Sequence, residues 1–286
     1  MAFHANFLIF HQCWSRLLDN GKIKSANSRF TQLSLYVLVY VVPQFIVKEA
    51  IMAGIFYGVG VGPGDPELLT LKAVEVIRNA DVVIAPKTEK KEGSTALSIA
   101  HPYLKADVEI LRLVFPMVND AATLANAWEN NKNSILAELQ AGKKVVFLTL
   151  GDPMFYSTYM YVYRLLKDSG YAIETIPGVP AFCAIGSQLG QPLAEGNDIL
   201  SIIPATMSEE ELDAILGVVD NVVLMKVYKN FGQVVAKLKQ HGFGENAVMI
   251  SRCGLPDEQI SYNLEEVDAK SVNYLSTILA KKRKLG

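Results

Sequence analysis

From Gly54 onward the chain reads as apolar runs of strand length separated by stretches with helical spacing. The runs GIFYGVGV, DVVIAPK, VEILRLVFP, KKVVFLTLGDP and AIETIPG are nearly continuous in apolar residues. That pattern predicts strands buried on both faces of a mainly parallel sheet. Between them, DPELLTLKAVEVIRNAD predicts a helix with Asp65 as N-cap and Pro66 at its first position. Its apolar face is predicted from Leu68, Leu71, Val74, Val76 and Ile77. Two further helices are predicted to stop at Gly142 and Gly170, where glycine suits the residue after a helix. After a short helix in VPAFCAIGSQLG the alternation begins again. ILSIIPA, NVVLMKVY, NAVMISRCG and YLSTILAKKRK predict strands, with two helices among them.

Glycine and proline crowd the stretch from Pro177 to Asn197, which predicts a bend between two halves. The expected class is therefore α/β, built as two α/β domains, 52–180 and 181–286, with an interdomain cleft as the ligand site. Residues 1–51 read differently. Their apolar run from Leu33 to Val47 is broken by Pro43 and Gln44 and is short of the about 20 residues a membrane span needs. The expectation is an N-terminal extension outside the fold, from a start codon assigned too early; its rival is a membrane anchor.

Composition narrows the partners. Net charge is −2 over 286 residues, so nothing points to nucleic acid. Cys13, Cys183 and Cys253 are scattered and odd in number. With no CxxC or His/Cys cluster, no metal site or disulfide framework is expected, and a cytoplasmic location fits.

The loop GVGVGPGDPELLT follows the first strand and invites comparison with phosphate-binding loops. A dinucleotide fingerprint fails in both frames, because the sixth position is Pro63 or Asp65, and no G-K-[ST] is present. Asp65 would also repel a phosphate at a helix start. A second Gly-Asp-Pro turn, Gly151-Asp152-Pro153, ends another strand and is predicted to open a helix. Two such turns put two carboxylates on one rim, at the strand ends where open α/β sheets bind ligands.

VGVGPGDPELLTLKAVEVIRNADVV, LTLGDPMFYST and IPGVPAFCAIGSQLGQPLA resemble the signature regions of the tetrapyrrole (corrin/porphyrin) methylases, over roughly residues 54–281. Within that family GDPMFYSTYMYVYRLL and IPGVPAFCAIGSQLGQPLAEG look most like the members that methylate C20 of precorrin-2 or cobalt-factor II in cobalamin biosynthesis. The resemblance implies S-adenosyl-L-methionine as cofactor, bound between two α/β domains, and a homodimer. It implies Pro63, Gly151, Asp152, Phe155, Pro180, Ala181 and Met225 as cofactor-binding residues. It implies Asp65 and Lys87 as proton acceptor and donor. Asp152, Tyr156 and Glu195 are further candidates for a base. Lys87, Arg112, Lys226 and Arg252 are candidates to pair with substrate carboxylates. The alternatives are methylation of uroporphyrinogen III or another precorrin carbon, and a nucleotide-binding regulatory module tethered to a membrane.

Overall fold

The computed structural model describes residues 54–86, 93–115 and 121–282, with only the backbone of 121–125. The expectations for residues 1–51 and for Lys87 lie outside the described residues. Residues 53–286 form one compact unit.

The first half carries a five-stranded sheet of β1 (Ile55–Gly60), β2 (Val82–Ile84), β3 (Glu109–Leu111), β4 (Lys144–Thr149) and β5 (Ala172–Ile176). Its order is β3-β2-β4-β1-β5 and every pairing is parallel. The continuous apolar runs are explained by cover on both faces. On one face α1 (Leu71–Arg78) and α2 (Thr95–Ala100) bury Ala73, Ile77 and Ile99 against Val59, Val83, Val146 and Leu148. On the other, α3 (Ala121–Gln140) and α4 (Tyr159–Leu166) bury Ile135, Leu139, Tyr159 and Leu166 against Phe56, Ile84, Val145 and Phe147. Tyr159 stacks on Phe56 and its hydroxyl meets Thr175 Oγ1 at 2.6 Å, so its one polar atom is satisfied inside the core.

This arrangement creates a crevice. β1 and β4 are neighbours, yet the helix after β1 lies on one face and the helix after β4 on the other. Their connections diverge at the carboxyl edge, which is the switch point where open α/β sheets hold ligands.

The second half carries β6 (Leu200–Pro204), β7 (Asn221–Met225), β8 (Ala247–Ser251), β9 (Gln259–Ser261) and β10 (Ser276–Lys281), in the order β6-β7-β10-β8-β9. Only β6 and β7 pair in parallel; β10 runs antiparallel to both β7 and β8. β7 and β8 therefore point the same way and end on one edge. α6 (Glu209–Val218) and α7 (Phe231–Gln240) cover one face, and α5 (Ala181–Gln188) covers the other. A Ser208–Glu211 capping box fixes the start of α6.

Three expectations need correction. The segment after Asp65 is not one helix: Pro66–Leu68 forms a single 3-10 turn, and Thr70 caps a separate α1. The break rotates the apolar face, leaving Leu71 90% exposed while Ala73 and Ile77 are buried. Pro153 opens a turn rather than a helix, and α4 begins only at Tyr159. The second sheet is mixed, not mainly parallel, and β9 escaped the apolar pattern because it is short and exposed.

Two close backbone approaches hold the carboxyl edges together. A Cβ on Gly178 would stand 2.8 Å from Gly60 Cα and closer still to Gly151 O. A Cβ on Gly64 would stand 2.6 Å from Gly254 C, so the first loop packs directly on the turn after β8. Gly178→Ala is expected to cost about 3 kcal/mol of stability in urea unfolding, because backbone on two sides must move. Gly190→Ala, with φ +63° but open space around it, is expected to cost only about 1 kcal/mol.

Candidate functional site

Five strand ends converge. The GPGD loop leaves β1, the GDP loop leaves β4, Pro177–Pro180 leaves β5, Met225-Lys226 ends β7 and Arg252–Gly254 ends β8. The first two are joined by a bridge in which Gly62 and Gly151 exchange backbone hydrogen bonds at 3.3 and 2.8 Å.

The two loop carboxylates look alike in sequence and do different work. Asp65 Oδ1 accepts from Glu67 N at 2.8 Å, the cap read from the sequence. Its Oδ2 receives no hydrogen bond from a described residue. Asp152 uses both oxygens: Oδ1 accepts from Met154 N at 2.8 Å and Oδ2 from Gly178 N at 3.0 Å. Asp152 thus folds its own turn and ties it to the loop after β5.

Phe155, Ala181 and Met225 meet in one apolar cluster with Phe182, Val223 and Ile250. The Phe155 ring lies 5.2 Å from that of Phe182, so the GDP loop plugs into the second half's core. Pro180 caps α5 beside Gly151, and Pro63 is buried within the GPGD turn. The structure therefore brings together Pro63, Asp65, Gly151, Asp152, Phe155, Pro180, Ala181 and Met225. Arg112 lies exposed beside β3, at the far edge of the first sheet.

Sequence reading missed the backbone strain. Tyr156, Lys226 and Arg252 are the described non-glycine residues with positive φ, at 49°, 59° and 58°. Each costs about 1–2 kcal/mol, and each follows a strand that ends at this edge. No sequence signal marks a tyrosine in that conformation. The Lys226 ammonium lies 5.0 Å from the Tyr156 ring centre, and Tyr156 OH reaches Ile202 O at 3.5 Å. Arg252 Nε stands 2.5 Å from Asp257 Oδ1, an ion pair out of line for a hydrogen bond. Thr149, the last residue of β4, buries Oγ1 without a partner among the described residues.

A family model described as Tetrapyrrole (Corrin/Porphyrin) Methylases matches residues 56–268. The chain belongs to the tetrapyrrole methylase family. It is 38% identical over 233 residues to the cobalt-precorrin-2 C(20)-methyltransferase of Salmonella typhimurium, covering 81% of this chain and 98% of that one. It is 32% identical over 234 residues to a Sinorhizobium precorrin-2 C(20)-methyltransferase, covering 79% and 94%. Among solved structures, a cobalt precorrin-4 methyltransferase shares the fold with TM-score 0.64 at 24% identity, covering 81% of this chain and 95% of that one. A Thermus thermophilus uroporphyrin-III C-methyltransferase complexed with S-adenosylhomocysteine gives TM-score 0.60 at 23% identity, covering 80% and 98%.

Asp152→Ala leaves two backbone N–H groups without their acceptor and is expected to lower stability by about 1–3 kcal/mol. Asp152→Asn keeps one acceptor oxygen and should lose less, which urea unfolding of the pair resolves.

Proposed function

We propose that this protein is an S-adenosylmethionine-dependent C-methyltransferase acting at C20 of precorrin-2 or cobalt-factor II in cobalamin biosynthesis. The observation that carries the reading is the GPGD–GDP crevice, in a chain 38% identical along 98% of a relative named for that reaction. Methylation of uroporphyrinogen III is less favoured, since the Bacillus subtilis relative of that name is 28% identical over 216 residues. The anchor of a membrane-tethered module, residues 33–47, lies outside the described residues, among which no helix is long and apolar enough to cross a membrane.

The residues present fit the cofactor. Phe155, Ala181 and Met225 offer a continuous apolar wall for a flat heterocycle. Gly151 and Gly178 bring bare backbone to the crevice, which suits a polar amino-acid group. When bound, S-adenosylmethionine supplies an electrophilic methyl group on a positively charged sulfur. Pro63, Gly151, Asp152, Phe155, Pro180, Ala181 and Met225 hold it in this reading, with Asp152 acting by fixing the loops. The two halves act as domains, 52–180 and 181–286, with substrate entering between the strand ends.

Methyl transfer to C20 requires that carbon to lose a proton, so a weak base at the rim is useful. Asp65 suits that task better than Asp152. Its Oδ2 is uncommitted, whereas both oxygens of Asp152 already accept N–H groups. Lys87 completes the proposed pair as donor. A homodimer in the cytoplasm is part of the proposal and rests on the family resemblance and the scattered cysteines.

Incubation with S-adenosylmethionine and either precorrin-2 or cobalt-factor II is expected to add one methyl, located at C20 by NMR. Methylation of uroporphyrinogen III with none on those substrates would overturn the assignment. Asp65→Asn keeps an oxygen to cap Glu67 N and should leave stability nearly unchanged. It should lower kcat by about 10²-fold or more if Asp65 takes the proton. A normal kcat in Asp65→Asn reduces Asp65 to its cap.

A further inference from the structure

We propose that Lys226, held over the face of Tyr156, is the cation that grips a side-chain carboxylate of the tetrapyrrole and so selects which macrocycles are accepted. This rests on the methyltransferase reading and goes beyond it by naming a substrate-specificity residue.

The first observation is where the backbone sends the side chain. Along β7, Val223 faces α5, while Val222 and Leu224 face α6 and α7. Met225 packs with Val223, so extended chain would put the next side chain into the core under α6 and α7. The left-handed turn at Lys226 prevents this and carries its ammonium to the loop after β4. A strained backbone is thus spent on bringing one charge from the second half to the first.

The second observation is that this charge is unneutralised. Lys72, Lys132, Lys143, Lys237 and Lys239 each stand within ion-pair distance of a carboxylate. Arg252, on the neighbouring strand end, is occupied by Asp257. Lys226 has no described carboxylate partner; its recorded contact is the Tyr156 ring. An aromatic face steadies an ammonium yet leaves N–H groups on the side away from the ring free to meet an acceptor.

The third observation is that the platform is itself fixed. Tyr156 is held in its own left-handed conformation, by an edge contact of 4.7 Å with Phe155 and by its hydroxyl at Ile202 O. It remains 47% exposed, so the cation sits at the open rim rather than in the core. Lys226 directly follows Met225, so in this proposal the charge stands at the rim just beyond the wall assigned to the cofactor, where a macrocycle brought up to the methyl group would present its carboxylates. Its lysine ammonium accepts a carboxylate from several directions, unlike a forked guanidinium.

The test compares wild type, Lys226→Gln and Lys226→Arg with precorrin-2 or cobalt-factor II as substrate. Alongside the kinetics, the tetrapyrrole is titrated by its visible absorbance without cofactor, and S-adenosylhomocysteine by calorimetry. Lys226→Gln is expected to raise KM and the tetrapyrrole Kd about tenfold or more, with kcat and S-adenosylhomocysteine affinity near wild type. Lys226→Arg should recover most of the loss. In the wild type, KM should rise with salt. An active enzyme whose KM and tetrapyrrole Kd are unchanged in Lys226→Gln, or whose wild-type KM ignores salt, overturns the grip and leaves the methyltransferase reading standing. Loss of S-adenosylhomocysteine binding in Lys226→Gln, restored by Lys226→Arg, also overturns it, by assigning the charge to the cofactor. Wild type that binds the tetrapyrrole through Lys226 but transfers no methyl overturns the reaction and not the grip.

Discussion

The structure depends on a crossing of bare backbone at the carboxyl edge of the first sheet. Gly60, Gly151 and Gly178 come from three different strand ends: Gly60 and Gly178 approach too closely for a side chain on either, and Gly151 turns at φ +72° with its carbonyl between them. Asp152 closes the crossing, because one of its oxygens accepts from its own turn and the other from Gly178. Everything that makes a crevice follows from that knot. It sets the direction of the GDP loop, and that loop carries Phe155 into the second half's core. α5 then begins at Pro180, directly beside Gly151.

A second contact of the same kind sets the opposite wall. Gly64 and Gly254 bring the GPGD loop onto the turn after β8. The second sheet can offer that turn only because β10 enters antiparallel between β7 and β8 and makes their ends coincide. Because β10 is antiparallel, the chain enters it at those same ends: Thr277 lies opposite Met225, and Arg252 N donates to Leu275 O at 2.9 Å.

Much of this was legible in the sequence. The central strands β1, β2 and β4 are mostly buried and read as apolar runs, and the half-buried edge strands β3 and β5 were legible as shorter apolar stretches. The glycine at Gly142 and the cap at Asp65 are local chemistry, readable without tertiary context, whereas the helix expected to run to Gly170 already ends at Leu166. The helix break at Thr70 was not, because Leu71 imitates an apolar-face residue while standing exposed. β9 was missed since an exposed short strand lacks a period. The left-handed Tyr156, Lys226 and Arg252 were beyond reach for a different reason. Their conformations are imposed by packing between the halves, and no residue preference announces them. The resemblance supplied the cofactor-binding set, while the structure supplied the reason Phe155, Ala181 and Met225 act as one surface.

The two Gly-Asp-Pro turns show how far identical local sequence can diverge in role. Each places an aspartate just after a strand, and each aspartate accepts from the backbone two residues on. The difference is the neighbour. Asp152 lies next to the loop after β5, whose Gly178 N–H takes its second oxygen. Asp65 lies next to the turn after β8, where Gly254 N–H is already given to Glu258. Glu258 thus leaves Asp65 Oδ2 uncommitted. A carboxylate fully engaged by N–H groups is a strut; one with an open oxygen at a crevice can exchange a proton. The proposed division, chemistry at Asp65 and scaffolding at Asp152, therefore rests on which backbone N–H each turn finds beside it.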